Sequence, residues 1–166
     1  MRNLLYVLTL LLISISCQKL DSSNSYLKLD NDEVTPFFVT RIINTNHFDV
    51  YKGVHIEGDD INPMDLVFSI EIPDEQLNKI YDISSNDNWQ IYILRDRVLY
   101  RIFSYDINET KKSTCHIEYR GETHFEMDIQ IYLKPKFTET YIRPTVIEFS
   151  YRGNVLNIDS DYNVIN

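Results

Sequence analysis

The chain is short of the residues from which many chemical sites are built. It has no alanine, four glycines, two cysteines and a single tryptophan. Alanine codons are GC-rich, so its absence reflects nucleotide composition and excludes nothing functional. Four glycines leave little backbone from which to fold a phosphate-cradling loop. No G-x-S-x-G, H-E-x-x-H or C-x-x-C occurs either. Neither catalysis nor a cofactor is therefore expected. Cations are also scarce: 16 Lys and Arg against 25 Asp and Glu give a formal charge of −9. Such a chain repels phosphate and is a poor candidate for binding nucleic acid. What remains is ordinary for a globular protein, 43% hydrophobic and 25% charged, which excludes a wholly disordered or fibrous chain. Its 166 residues suffice for one domain with a real core.

The one long hydrophobic run lies at the N-terminus. Met1-Arg2-Asn3 is short and positively charged, and residues 4–15 are apolar except for Thr9 and Ser14. A helix of that length cannot span a hydrocarbon core roughly 30 Å thick, but it suits a signal-peptide h-region. The run ends in Ser14-Ile15-Ser16-Cys17, with a small residue directly before the cysteine. This resembles the lipobox of bacterial lipoproteins, in a relaxed form with Ser14 where an aliphatic residue is usual. The resemblance covers only these first residues. It implies that Cys17 is diacylated, becomes the first residue after cleavage, and anchors the chain in a membrane through its lipid. Gln18 rather than aspartate follows, which points to an outer membrane with the face left open. An ordinary cleaved secretory signal or an uncleaved anchor would also account for the run, whereas a buried core helix is disfavoured because no polar face is present anywhere in it. The expected organisation is a signal peptide over 1–16, acylated Cys17 and a flexible tether over 17–33, and one β domain over 34–166. Loss of the leader removes Arg2 and leaves a charge of −10.

With Cys17 acylated, Cys115 has no partner and is expected to behave as a small apolar strand residue. A Cys17–Cys115 disulfide would require a different reading of the N-terminus.

Beyond the tether, apolar residues recur with period two almost throughout. In 124–133, Phe125, Met127, Ile129, Ile131 and Leu133 share one face, with His124, Glu126, Asp128, Gln130 and Tyr132 on the other. Similar runs occupy 37–44, 48–56, 66–72, 89–94, 98–105, 114–119, 146–151 and 155–158. Tyr119-Arg120-Gly121-Glu122 and Tyr151-Arg152-Gly153-Asn154 each predict a hairpin with glycine at positive φ, and Arg95-Asp96-Arg97 predicts a third. One short helix is expected over 74–81, led in by Pro73 and begun by Asp74 and Glu75. The fold class is all-β: an antiparallel β-sandwich, with a small β-barrel as the alternative.

Three groups of residues invite a chemical reading. His47 and His55 are eight apart, as are His116 and His124, with Cys115 beside His116. Two histidines make only a partial zinc site, so solvated histidines are expected and no metal. Asp159-Ser160-Asp161-Tyr162-Asn163 begins like an EF-hand loop, but Val164 stands where glycine is required. Together with 30–33 and 59–60 it is expected to be a solvated loop. Aromatics are abundant, with 12 Tyr and 8 Phe. Tyr51, Tyr92, Tyr132, Tyr141 and Trp89 could stack sugar rings, though tyrosine also simply covers sheet faces.

These features point to a non-enzymatic, lipid-anchored envelope protein. Its leading role is to bind an envelope or secreted protein, as an inhibitor-like module or a component of an envelope complex, with acidic charge suited to a basic partner. The alternative is an accessory lipoprotein that binds a glycan or small ligand, with aromatics exposed in a row or cleft.

Overall fold

The structure, a computed structural model, describes residues 25–55, 60–85, 88–136 and 143–165. Cys17, the N-terminal run and Tyr141 lie outside the described residues.

The chain moves back and forth between two sheets. Strands β1 (Tyr26–Leu29) and β2 (Asp32–Val34) belong to the first, and β3 (Phe37–Ile42), β4 (His47–Lys52) and β5 (Leu66–Glu71) to the second. After β6 (Ile80–Asp82) in the first, β7 (Gln90–Arg95) and β8 (Val98–Ile102) extend the second. Strands β9 (Thr114–Gly121), β10 (His124–Tyr132) and β11 (Val146–Asn154) complete the first, and β12 (Leu156–Ile158) ends the second. The orders are β2-β1-β11-β10-β9-β6 and β12-β3-β4-β5-β7-β8. Pairing is antiparallel except for β12 on β3. Each sheet keeps two edges, so the architecture is an all-β sandwich rather than a barrel.

Period-two alternation builds the core. Phe125, Met127, Ile129 and Ile131 of β10 are buried, as are Phe48, Phe68, Ile70, Ile91 and Ile93 from the facing sheet. Aromatic rings bridge the two layers: Phe48 meets Phe125 edge-on at 5.1 Å, and Phe68 lies 6.0 Å from Phe149. Each such side chain contributes about 1.5–3 kcal/mol by leaving water. Cys115 sits in this core, 1% exposed.

Three local expectations are corrected. The tether is shorter than 17–33: Leu27 and Leu29 are buried, and β1 lies beside β11. Two leucines spaced by one residue are a strand's inner face even within polar surroundings. The helix over 74–81 is one 3-10 turn, Asp74–Gln76, after which Asn78 takes φ 63° and Ile80–Asp82 pairs with β9. Finally, Tyr151-Arg152-Gly153-Asn154 is no hairpin. These residues continue β11, with Gly153 opposite Phe125, and the chain then crosses to the other sheet as β12. Glycine here serves close approach: a Cβ would lie 3.1 Å from the Tyr151 hydroxyl. The hairpins at Gly121 (φ 112°) and at Asp96-Arg97 (φ 53° and 65°) form as expected, the latter a type I′ geometry.

Candidate functional site

The outward faces of the two sheets differ. On the first, charges neutralise each other across strands. Arg120 contacts Glu118 at 2.9 Å and Glu126 at 3.2 Å, and Arg152 contacts Asp128 at 2.9 Å. His116 and His124 lie on this face but do not meet. His116 pairs in register with Asp128 and His124 with Gly121, so four residues of β10, roughly 13 Å, separate them. Cys115 points the opposite way, into the core, where burial pushes its thiol up to about 12.

The second sheet's outward face is divided. One half is closed by Ile61 and by the segment after β12, which cover Tyr51 and Ile158 together with Phe38, Ile42, Leu66 and Val164. His55, beyond the far end of β4 from His47, lies tilted against Phe38 with ring centroids 5.6 Å apart. Tyr51 is thus buried rather than available to a ligand. The loop that begins like an EF-hand is closed on itself: Asp159 accepts hydrogen bonds from Asp161 N, Asn163 N and Asn163 Nδ2 at 2.8–2.9 Å. Asp30, expected to be solvated, instead clamps the sheets. It accepts from the Thr145 and Val146 amides and meets Arg95 at 3.3 Å.

At the boundary of the closed half sits a buried acid. Asp49, 3% exposed, accepts from His47 Nε2 at 3.0 Å, and the same nitrogen lies 3.0 Å from Ser69 Oγ. His47 Nδ1 faces Glu71 at 3.7 Å. Burial alone would lower the His47 pKa, but the hydrogen bond and charge of Asp49, with Glu71, outweigh it and hold it above its ordinary value. Among the described residues no three His, Cys, Asp or Glu side chains are placed to hold a metal ion.

The other half is open. Register sets Glu71 beside Gln90 and Tyr92 beside Arg101. The Arg101 guanidinium carbon lies 5.9 Å from the Tyr92 ring and 5.2 Å from the Phe103 ring. Phe103 stacks on Tyr105 with centroids 5.2 Å apart and an interplanar angle of 8°. The result is a row, Tyr92–Arg101–Phe103–Tyr105, along the sheet edge, with Phe103 39% and Tyr105 64% exposed. Two shallow hollows flank Arg101. One of about 470 Å³ is lined by Glu71, Pro73, Asn88, Gln90 and the edge of Trp89. The other, about 170 Å³, lies against Phe103, Ser104 and Tyr105. Trp89 is itself buried, with Nε1 donating to Ile83 O at 3.0 Å. A third hollow, between Asp32 and Arg95, is crossed by their own ion pair.

Of the aromatics singled out from sequence, Tyr92 and Trp89 belong to this groove. Tyr132 is half-buried on the first sheet beneath Lys111, 4.8 Å from the ring. Arg101, Phe103, Tyr105, Glu71 and Gln90 carried no motif. The signal for Arg101, Phe103 and Tyr105 is the alternation of 98–105, which places 99, 101, 103 and 105 on one side, while Glu71 and Gln90 fall in the separate runs 66–72 and 89–94. Comparison with protein families, curated proteins and solved structures finds no match.

Proposed function

We propose that this chain is a non-enzymatic lipoprotein of the outer membrane, acylated at Cys17, whose β-sandwich binds a glycan along the open half of its second sheet. The observation that carries the reading is the Tyr92–Arg101–Phe103–Tyr105 row, exposed beside a groove that also offers the Glu71 carboxylate and the Gln90 amide. Sugar rings present C–H faces to aromatic rings and hydroxyls to planar polar side chains. The groove places both kinds of group side by side, and its openness suits a chain passing across it rather than an enclosed small molecule. The test is binding of the full chain to a panel of oligosaccharides, with Phe103→Ala/Tyr105→Ala as the comparison. The wild type should bind and the variant should lose at least tenfold in affinity. Equal binding by both would remove the row from the site. Palmitate labelling that disappears in Cys17→Ser tests the anchor separately.

A second reading has its own support. Among the described residues strand β8 pairs only with β7 and forms an edge of its sheet, with Leu99 57% exposed. An unprotected edge with an apolar side chain can accept a strand from a protein partner. Affinity capture from envelope and secreted fractions, at low and high salt, distinguishes this reading. A protein retained by the wild type and released by Leu99→Lys supports it.

A further inference from the structure

We propose that the ligand of this groove is an acidic glycan, one whose sugar carries a carboxylate, and that Arg101 reads that carboxylate; this rests on the glycan reading above. Arg101 is exposed on β8 and no carboxylate of the described residues lies within ion-pair distance of it. Arginines on the first sheet are in a different state, with Arg120 and Arg152 each held by acidic neighbours. The guanidinium of Arg101 is instead flanked by the rings of Tyr92 and Phe103. A contact made through the face of a guanidinium leaves its edge, which carries the N–H donors, available for hydrogen bonding. That edge matches a carboxylate with two parallel hydrogen bonds.

The remaining groups fit the rest of an acidic pyranose. Gln90 Oε1 already accepts from the Tyr92 hydroxyl at 3.0 Å, so its amide N–H groups are left as donors. Glu71, with its side chain 42% exposed, is an acceptor for sugar hydroxyls. Phe103 supplies an apolar surface for the ring's C–H face. A single hydroxylated ring with one carboxylate meets all of these at once. An acidic peptide would use Arg101 but would leave Glu71 facing its carboxylates. The chain's overall negative charge does not forbid an anionic ligand, because charges beyond about 8 Å are screened at physiological ionic strength and the nearest cation decides.

The experiment titrates the full chain in detergent with uronate- and sialate-containing oligosaccharides, each beside its carboxyl-reduced counterpart, and with an oligoglutamate peptide. Affinity is followed by calorimetry and by Trp89 fluorescence. An acidic sugar should bind at least tenfold more tightly than its reduced form, a difference of about 1.4 kcal/mol. Arg101→Gln should abolish that difference, so that the acidic sugar binds no more tightly than its reduced form. Equal binding of acidic and reduced sugars overturns the inference and leaves the glycan reading standing. Binding of no sugar overturns both. Oligoglutamate bound as tightly as the acidic sugar, and lost in Arg101→Gln, overturns the assignment to a sugar.

Discussion

Asp106 and Arg143 form an ion pair of 3.0 Å between side chains only 6% and 3% exposed. The other Asp106 oxygen accepts from Phe103 N at 3.0 Å, and Arg143 also donates to Lys134 O at 2.8 Å. The 3-10 turn Ser104–Asp106 that holds Tyr105 beside Phe103 is therefore pinned from beneath by a buried charge pair. The exposed end of the aromatic row owes its position to residues a ligand never touches.

Removing one partner of that pair strands the other charge. Asp106→Asn should destabilise the fold by about 3–5 kcal/mol, as expected for a buried ion left without its counterion. It should also weaken ligand binding, because the turn carrying Tyr105 loses its anchor. The double variant Asp106→Leu/Arg143→Met removes both charges and should recover most of the stability without the binding. Urea denaturation beside ligand titration checks this, and equal stability of Asp106→Asn and wild type would show that the pair does not hold the turn.

The N-terminal boundary of the domain yields a second expectation. Leu27 is fully buried between β11 and β2, while Lys28 beside it points outward. Leu27→Ala should cost about 2–5 kcal/mol, and Lys28→Ala no more than about 0.5 kcal/mol. Similar small costs for both would place residues 26–29 in the tether after all. The comparison needs only denaturation midpoints and unchanged slopes.

What could be read from the sequence, and what could not, divides along range. Alternation in 124–133 and 66–72 fixed both the strands and their inward faces, because period two is a property of the strand itself. Gly121 announced a positive φ for the same local reason. Gly153 did not follow its lookalike, because its role is set by Tyr151 and by the chain's crossing between sheets. The 74–81 stretch suits a helix in sequence because Leu77, Ile80 and Tyr81 fit a helical stripe. What decides it is pairing with β9, more than thirty residues away. The groove is not legible for a related reason: Glu71, Gln90 and Arg101 come from three strands, and only the pairing of those strands brings them around one hollow. Alternation marks Tyr92 as an aromatic on a strand face, and pairing of β7 with β8 makes it Arg101's neighbour.

Cys115 provides a probe of the sandwich rather than of the site. It is 1% exposed, and burial raises its thiol to about 12, so almost no thiolate is present at neutral pH. A folded sample should resist a thiol reagent at pH 8 and react promptly once unfolded in urea. Using a Cys17→Ser chain leaves Cys115 as the only thiol. Fast reaction under native conditions would mean that the two sheets open locally at β9, where short β6 borders the strand on one side.

His47 links stability to pH across the neutral range. Burial disfavours its charged form, yet Asp49 at 3.0 Å and Glu71 at 3.7 Å favour it more, so the folded-state pKa stands above the ordinary 6.5. The folded protein therefore binds this proton more tightly than the unfolded chain does. Its contribution is fully present below pH 6.5 and is lost as pH rises through the higher folded value. Urea midpoints should fall between pH 6 and pH 8 in the wild type and stay flatter in His47→Gln. Asp49→Asn makes the sharper test. With its hydrogen bond and charge gone, burial becomes the larger influence, the His47 pKa should drop below 6.5, and the slope should reverse so that stability rises with pH over the same interval. Titration of the His47 ring protons by NMR in both proteins gives the direction independently of unfolding. A wild-type value below 6.5 would mean that the buried carboxylate does not hold a proton on His47.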